Sequence, residues 1–183
     1  LMIATYSEDG TPDVMNAAWG MITDASEITI SLSEHKTTEN LRKKGAFTVS
    51  MATEETVVAC DYVGIVSAKD EPDKFTKAGF HAVKSGKVDA PLIEELPMAL
   101  ECTVKSYEDG ILTGTIVNVT ADESILTDGK IDPSKLKPIT FDPVNNTYIG
   151  LGQKVGNAFQ DGKKLKPQLR RSGTGQRQTA ENC

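Results

Sequence analysis

The chain has 183 residues, 20 Lys and Arg against 26 Asp and Glu, a net charge of −6 at pH 7, and 38% hydrophobic and 25% charged residues. That length suits one domain around one core, and the acidic balance argues against wrapping nucleic acid or an anionic membrane. No apolar run approaches the roughly 18–20 residues of a membrane span and no charged-then-apolar leader precedes the first strand, so the expectation is a cytoplasmic protein.

"LMIATY" (residues 1–6) reads as a first strand, entered from the outset, so a short preceding segment is expected. Asp9-Gly10 marks a turn, and "DVMNAAWGMIT" (13–23) returns as the partner strand. In "EITISLS" (27–33), Ile28, Ile30 and Leu32 alternate with Thr29, Ser31 and Ser33, the period of a half-buried strand. A helix is expected from about Thr37 to Lys44, stopped by Gly45, and "AFTVSMA" (46–52) follows as a strand. Thr53 suits the N-cap of "EETVVACDYVG", with Glu54 and Glu55 in the favourable first turn. Asp70-Glu71-Pro72 open a second capped segment that stops at Gly79. "MALECTVKSYED" (98–109) and "ILTGTIVNVTAD" (111–122) flank the hairpin pair Asp109-Gly110, and "NTYIGLG" (146–152) is a last short strand. Residues 1–166 read as one domain. From 167 onward almost nothing apolar remains after Leu169, and a disordered tail, possibly foreign to the fold, is expected there.

Antiparallel strands with helices inserted in their connections predict a mainly β fold, a Greek-key-like antiparallel barrel with peripheral helices. A Rossmann sheet is disfavoured: in "GLGQKVG" (150–156) Val155 stands where a dinucleotide fingerprint needs its third glycine, and no βαβ unit surrounds it.

The chemical inventory is sparse. Three scattered cysteines make neither a disulfide framework nor a zinc motif. His35 and His81 are the only imidazoles, and no G-x-S-x-G or Cys/His arrangement suggests a hydrolase. An enzyme of this composition would rely on a bound cofactor for its chemistry, with the protein supplying placement and electrostatics. Against that background "SLSEHKTTENLRKKGAFTVS" (31–50) stands out, because Ser33, His35, Lys36, Thr37, Thr38 and Asn40 gather where a helix begins. A helix N-terminus presents unpaired N–H groups and partial positive charge. With the Lys36 ammonium, the hydroxyls of Ser31, Ser33, Thr37 and Thr38 and the Asn40 amide, such a site could wrap a phosphate monoester. The alternative is local: a threonine caps the helix, Asn40 faces water and Lys36 is a solvated charge.

The order of "MNAAWG" (15–20), "SLSEHKTTENLRKKGAFTVS", "DYVGIVSAKDEPDKF" (61–75), "VDAPLIEELPMALEC" (88–102) and "TYIGLG" (147–152) resembles the flavin reductase-like, flavoredoxin-type FMN-binding proteins, over nearly everything from Leu1 to about Lys166. The resemblance implies a split β-barrel, a homodimer, and non-covalent FMN with its phosphate at the helix after the third strand. Carried onto this chain, it implies phosphate binding by Lys36, Thr37, Thr38 and Asn40, with Ser31, Leu32 and Ser33 lining the approach. Asn16, Ala17, Ala18 and Trp19 would run along the isoalloxazine ring, and Ser50, the "DYVGIVS" loop and Tyr148 would complete the site. Trp19 could equally be core, Tyr148 a structural barrel residue, and Asp61-Tyr62 a helix end. The activity implied is hydride transfer from NADH or NADPH to FMN and onward to a small-molecule or protein acceptor. The alternatives are an electron carrier with fixed FMN and no nicotinamide turnover, and, more remotely, a split barrel that binds haem or serves as a non-redox interaction module.

Overall fold

A computed structural model describes residues 1–166. Leu1–Gly152 forms one compact unit, and residues from Gln153 belong to a second, whose described part contains a 3-10 helix at Asp161–Leu165. The tail expected from residue 167 lies outside the described residues.

Strands β1 (Met2–Tyr6) and β2 (Pro12–Asn16) form the opening hairpin. Then come β3 (Gly20–Asp24), β4 (Glu27–Ser31), α1 (Lys36–Lys44), β5 (Ala46–Ser50), α2 (Val57–Ile65), α3 (Lys74–Lys77), β6 (Ala82–Lys84) and β7 (Pro91–Ile93). The long pair β8 (Met98–Glu108) and β9 (Ile111–Ala121) follows, with β10 (Leu126–Thr127), β11 (Lys130–Ile131), α4 (Pro133–Leu136), β12 (Ile139–Asp142) and β13 (Thr147–Gly150) after it. Seven strands make one antiparallel sheet in the order β2-β1-β5-β8-β9-β4-β3.

"DVMNAAWGMIT" is not one strand. Its first part, β2, pairs with β1 at one edge of the sheet, and its last part, β3, pairs with β4 at the other. Ala17, Ala18 and Trp19 therefore cross between the two edges. The Ala17 N–H donates to the Leu1 carbonyl at 2.7 Å, and the Ser31 N–H to the Trp19 carbonyl at 2.8 Å. Met15 beside one edge and Ile28 and Ile30 near the other pack into a single cluster with Ile3, Phe47 and Leu112. A sheet whose opposite edges share one core is curled on itself, and this is the expected split barrel with inserted helices.

Strand alternation gives the barrel wall a second apolar face. Met2, Ala4 and Val14 point outward and pack with Cys60 and Val63 of α2 and Phe75 of α3. The α2 helix starts later than its sequence suggests: Thr56 is the N-cap, and the Thr53 N–H donates to the Thr56 hydroxyl at 3.0 Å in the turn before it. The α3 helix is a single turn within the segment expected to be helical from Asp70. Cys102 is core, with burial pushing its thiol up to about 12. Beside it Glu101 is buried, accepting from Ser85 Oγ, from Asn118 Nδ2 at 2.5 Å and from Thr120 Oγ1 at 2.6 Å. Burial pushes that carboxyl up, but the three donors outweigh it and hold Glu101 below its usual range. Among the described residues no helix is long and apolar enough to cross a membrane.

Candidate functional site

The polar cluster at the start of α1 divides into groups that hold the helix and groups that face a slot. Thr37 Oγ1 donates to Asp13 Oδ2 on β2 at 2.6 Å, and both side chains are buried. The Thr38 hydroxyl accepts the His35 N–H at 2.9 Å and donates to the His35 carbonyl at 2.8 Å, closing the first turn on itself. Asn40 Nδ2 donates to Thr5 Oγ1 on β1 at 3.1 Å, which anchors the helix to the barrel. At the other end of α1, Gly45 takes φ 63° and its N–H donates to the Leu41 carbonyl at 2.9 Å.

Beside the start of α1 lies a buried cation. Lys74 Nζ donates to the carbonyls of Val63 and Val66 at 3.2 and 3.1 Å and stands 3.5 Å from Asp13 Oδ1. Those carbonyls close α2, where a helix is partially negative. Burial pushes the Lys74 ammonium down from its ordinary range, and Asp13 partly restores it. A slot of about 40 Å³ opens here, lined by Asn16, His35, Lys36, Thr37, Ser67 and Lys74 among others. It has room for a few waters or one group about the size of a phosphate. The first-turn amides of α1 have no partner within the helix, and Lys36 and the Asp13-paired Lys74 also line the slot.

Next to the slot is a larger cavity of about 340 Å³, within the roughly 300–1,000 Å³ range of small-molecule sites. One wall is the edge-crossing segment, Ala17, Ala18 and Gly20; the others are Ala52, Gly64 and Ile65, and Ile139 and Phe141 of β12. The alanines and glycines among them leave backbone close to whatever lies between the walls. Asn16 and Gly64 line both the cavity and the slot, so the two adjoin. A Cβ at residue 64 would stand 2.9 Å from the Asn16 Cβ, closer than two such carbons pack, so the approach of α2 to β2 requires glycine.

Three polar side chains meet in the cavity. The Tyr148 hydroxyl donates to Asp61 Oδ1 at 2.7 Å, and Asn16 Nδ2 donates to the Tyr148 oxygen at 3.4 Å. Burial, and then the Asp61 carboxylate, push the Tyr148 phenol up to about 12, so it stays protonated at neutral pH. Trp19 is not core: it is 59% exposed, and its indole packs edge-on against Phe141 with centroids 6.4 Å apart. It stands at the rim, not among the lining residues.

Of the sequence-predicted site residues, the structure gathers Asn16, Ala17, Ala18 and Tyr148 around the cavity and Lys36 and Thr37 at the slot. Thr38 and Asn40 hold α1 in place instead. Ser31 and Ser33 are exposed and Leu32 is in the barrel core, none of them lining either space. Ser50 is buried in β5, its hydroxyl without a hydrogen-bond partner among the described residues, and it too lines neither. The "DYVGIVS" segment is helical to Ile65 and borders both spaces, with Asp61, Gly64 and Ile65 at the cavity and Val63, Gly64, Val66 and Ser67 at the slot. Asp13, Lys74 and Phe141 lie outside the residues that the sequence points to.

A family model described as "Flavin reductase like domain" matches residues 1–135. Among solved structures, flavoredoxin of Desulfovibrio vulgaris (Miyazaki F) is similar with a TM-score of 0.85 and 36% identity, covering 88% of this chain and 91% of that one. Flavoredoxin from Methanosarcina acetivorans gives 0.82 and 24% over 90% of each chain. An FMN-binding domain of a flavin reductases-like enzyme from Shewanella baltica OS155 gives 0.76 and 18%, over 85% of this chain and 87% of that one, a likeness of fold.

Proposed function

The chain belongs to the flavin reductase-like domain family, and from that premise we propose that it is an FMN-dependent oxidoreductase that takes electrons from NADH or NADPH and passes them to a small-molecule or protein acceptor. The observation that carries the reading is the adjacency, across Asn16 and Gly64, of a helix-end slot lined by Lys36 and Lys74 and a larger cavity walled in part by small side chains. FMN has that division of chemistry: a phosphate at one end and a flat, largely apolar ring with a polar edge at the other. Lys36 and the first-turn amides of α1, that of Thr37 among them, would hold the phosphate. Ala17, Ala18 and Gly64 would admit the ring, with Asn16 and Tyr148 available to its polar edge. Bound there, FMN supplies hydride acceptance at N5 and onward electron transfer, and the protein supplies placement and electrostatics.

The working unit is proposed to be a cytoplasmic homodimer with the flavin near the interface. All five residues of β3 are exposed at the sheet edge, Met21 and Ile22 among them, and Trp19 lies beside them. The same exposed rim beside the cavity favours a second reading, an electron carrier with fixed FMN that meets a protein partner and turns over no nicotinamide.

The first test is the absorption spectrum of the protein incubated with FMN and passed through gel filtration. Flavin bands co-eluting with a dimer-sized protein are expected, and nicotinamide oxidation by that fraction separates enzyme from carrier. A colourless protein eluting apart from FMN would sink the flavin reading, and a monomeric mass at micromolar concentration would sink the shared site.

A further inference from the structure

Asp61 is the one carboxylate among the described residues lining the cavity, and no Lys, Arg or His is among them. The cationic groups, Lys36 and Lys74, line the slot. Asp61 is also held in place: it sits in α2, partly buried, and accepts the Tyr148 hydroxyl at 2.7 Å across 87 residues of sequence. Tyr148 in turn comes from the β12–β13 hairpin, where it pairs directly with Phe141, another lining residue.

A flavin that takes up two electrons and one proton gains one net negative charge. A fixed carboxylate beside the ring opposes that gain, because Coulomb interactions in a partly enclosed cavity are screened less than in bulk water. Charge near the ring is one of the means by which a protein tunes a flavin. We infer that Asp61 sets the reduction potential of the bound flavin, holding it more reducing than an uncharged side chain would, and that Tyr148 is the positioning residue that fixes and partly shields this charge. The inference rests on the FMN reading above and deepens it, since it makes the reduced protein a stronger electron donor to whatever acceptor it serves.

The test uses the full chain loaded with FMN, comparing wild type with Asp61→Asn and Tyr148→Phe. The readouts are the midpoint potential, by redox titration against reference dyes, and the dissociation constants of oxidised and reduced FMN. Asparagine keeps an oxygen to accept from Tyr148 and removes only the charge. In Asp61→Asn the affinity for reduced FMN is expected to rise about tenfold relative to oxidised FMN, an upward shift of about 30 mV for a two-electron couple. Tyr148→Phe strips the carboxylate of its donor, so the same ratio is expected to move the other way, by about two- to threefold. A merely structural role would move both variants in one direction. Shifts of the same sign, or unchanged potentials in variants that retain FMN, would overturn the inference while leaving the FMN reading intact. Failure of the wild type to bind FMN would overturn both.

Discussion

The slot at the start of α1 and the cavity beside it are built from opposite kinds of sequence. "SEHKTTEN" is crowded with hydrogen-bonding groups, and most of them are occupied within the fold: Thr37 with Asp13, Thr38 with the His35 backbone, Asn40 with Thr5. "NAAW" has few polar atoms, yet its alanines face the larger space. A buried polar group must find a partner or lose about 1–3 kcal/mol, so a dense polar stretch near a core is drawn into structural bonds first. Small residues make no such demand, and where they cross between two sheet edges they leave room.

The strongest way to break the comparison is at the foundation of the slot. Asp13 and Lys74 are both buried, and Asp13 also holds Thr37. Asp13→Ala leaves an ammonium buried against carbonyls alone, and the expected loss is about 3–5 kcal/mol of unfolding free energy in urea titrations. Adding Lys74→Met removes the stranded charge and should recover much of that loss. A single variant within about 0.5 kcal/mol of wild type, the range of ordinary surface changes, would mean that the pair supports nothing.

The cavity can be tested with less damage to the fold. Ala18 lines the space but is exposed, so a larger side chain there projects into the cavity, not the core. Ala18→Trp should weaken FMN binding at least about 100-fold, about 2.7 kcal/mol, with the urea midpoint unchanged. Wild-type affinity in this variant would place the ring elsewhere.

The local elements were legible in the sequence and the joins between them were not. The alternation of β4 and the hairpin at Asp109-Gly110 follow from short-range rules, and both turn residues take the positive φ, 49° and 77°, that such a pair supplies. Asp128-Gly129 makes the same turn, at φ 52° and 72°, between β10 and β11. It passed unread because strands of two residues show no alternation. The edge crossing at Ala17–Trp19 depends on which strands β2 and β3 join, and that is decided by pairings elsewhere in the chain. The site is nonlocal in the same sense: Thr37 meets Asp13 across 24 residues and Tyr148 meets Asp61 across 87. The resemblance to a family named Asn16, Ala17, Ala18 and Tyr148, which the structure brings to one cavity, but the polar cluster alone could not tell a threonine bonded across to β2 from one that closes a helix.

That distinction yields the smallest effects and the sharpest contrast. Among the described residues Lys36 makes no hydrogen bond and approaches Glu39 only at 3.9 Å, and it lines the slot. Lys36→Ala should therefore weaken FMN binding by about 1–3 kcal/mol, the worth of a charge-assisted hydrogen bond, and leave riboflavin, which lacks the phosphate, bound as before. Thr38 stands two residues away but turns its hydroxyl back onto His35. Thr38→Ala should cost about 1 kcal/mol of stability, as lost helix caps do, and shift FMN and riboflavin alike by less than that. Isothermal titration of both ligands against both variants separates the two roles. If Thr38→Ala discriminates against FMN as Lys36→Ala does, its hydroxyl leaves the helix end when phosphate arrives, and the division between structural and ligand-facing groups drawn from the free protein does not survive binding.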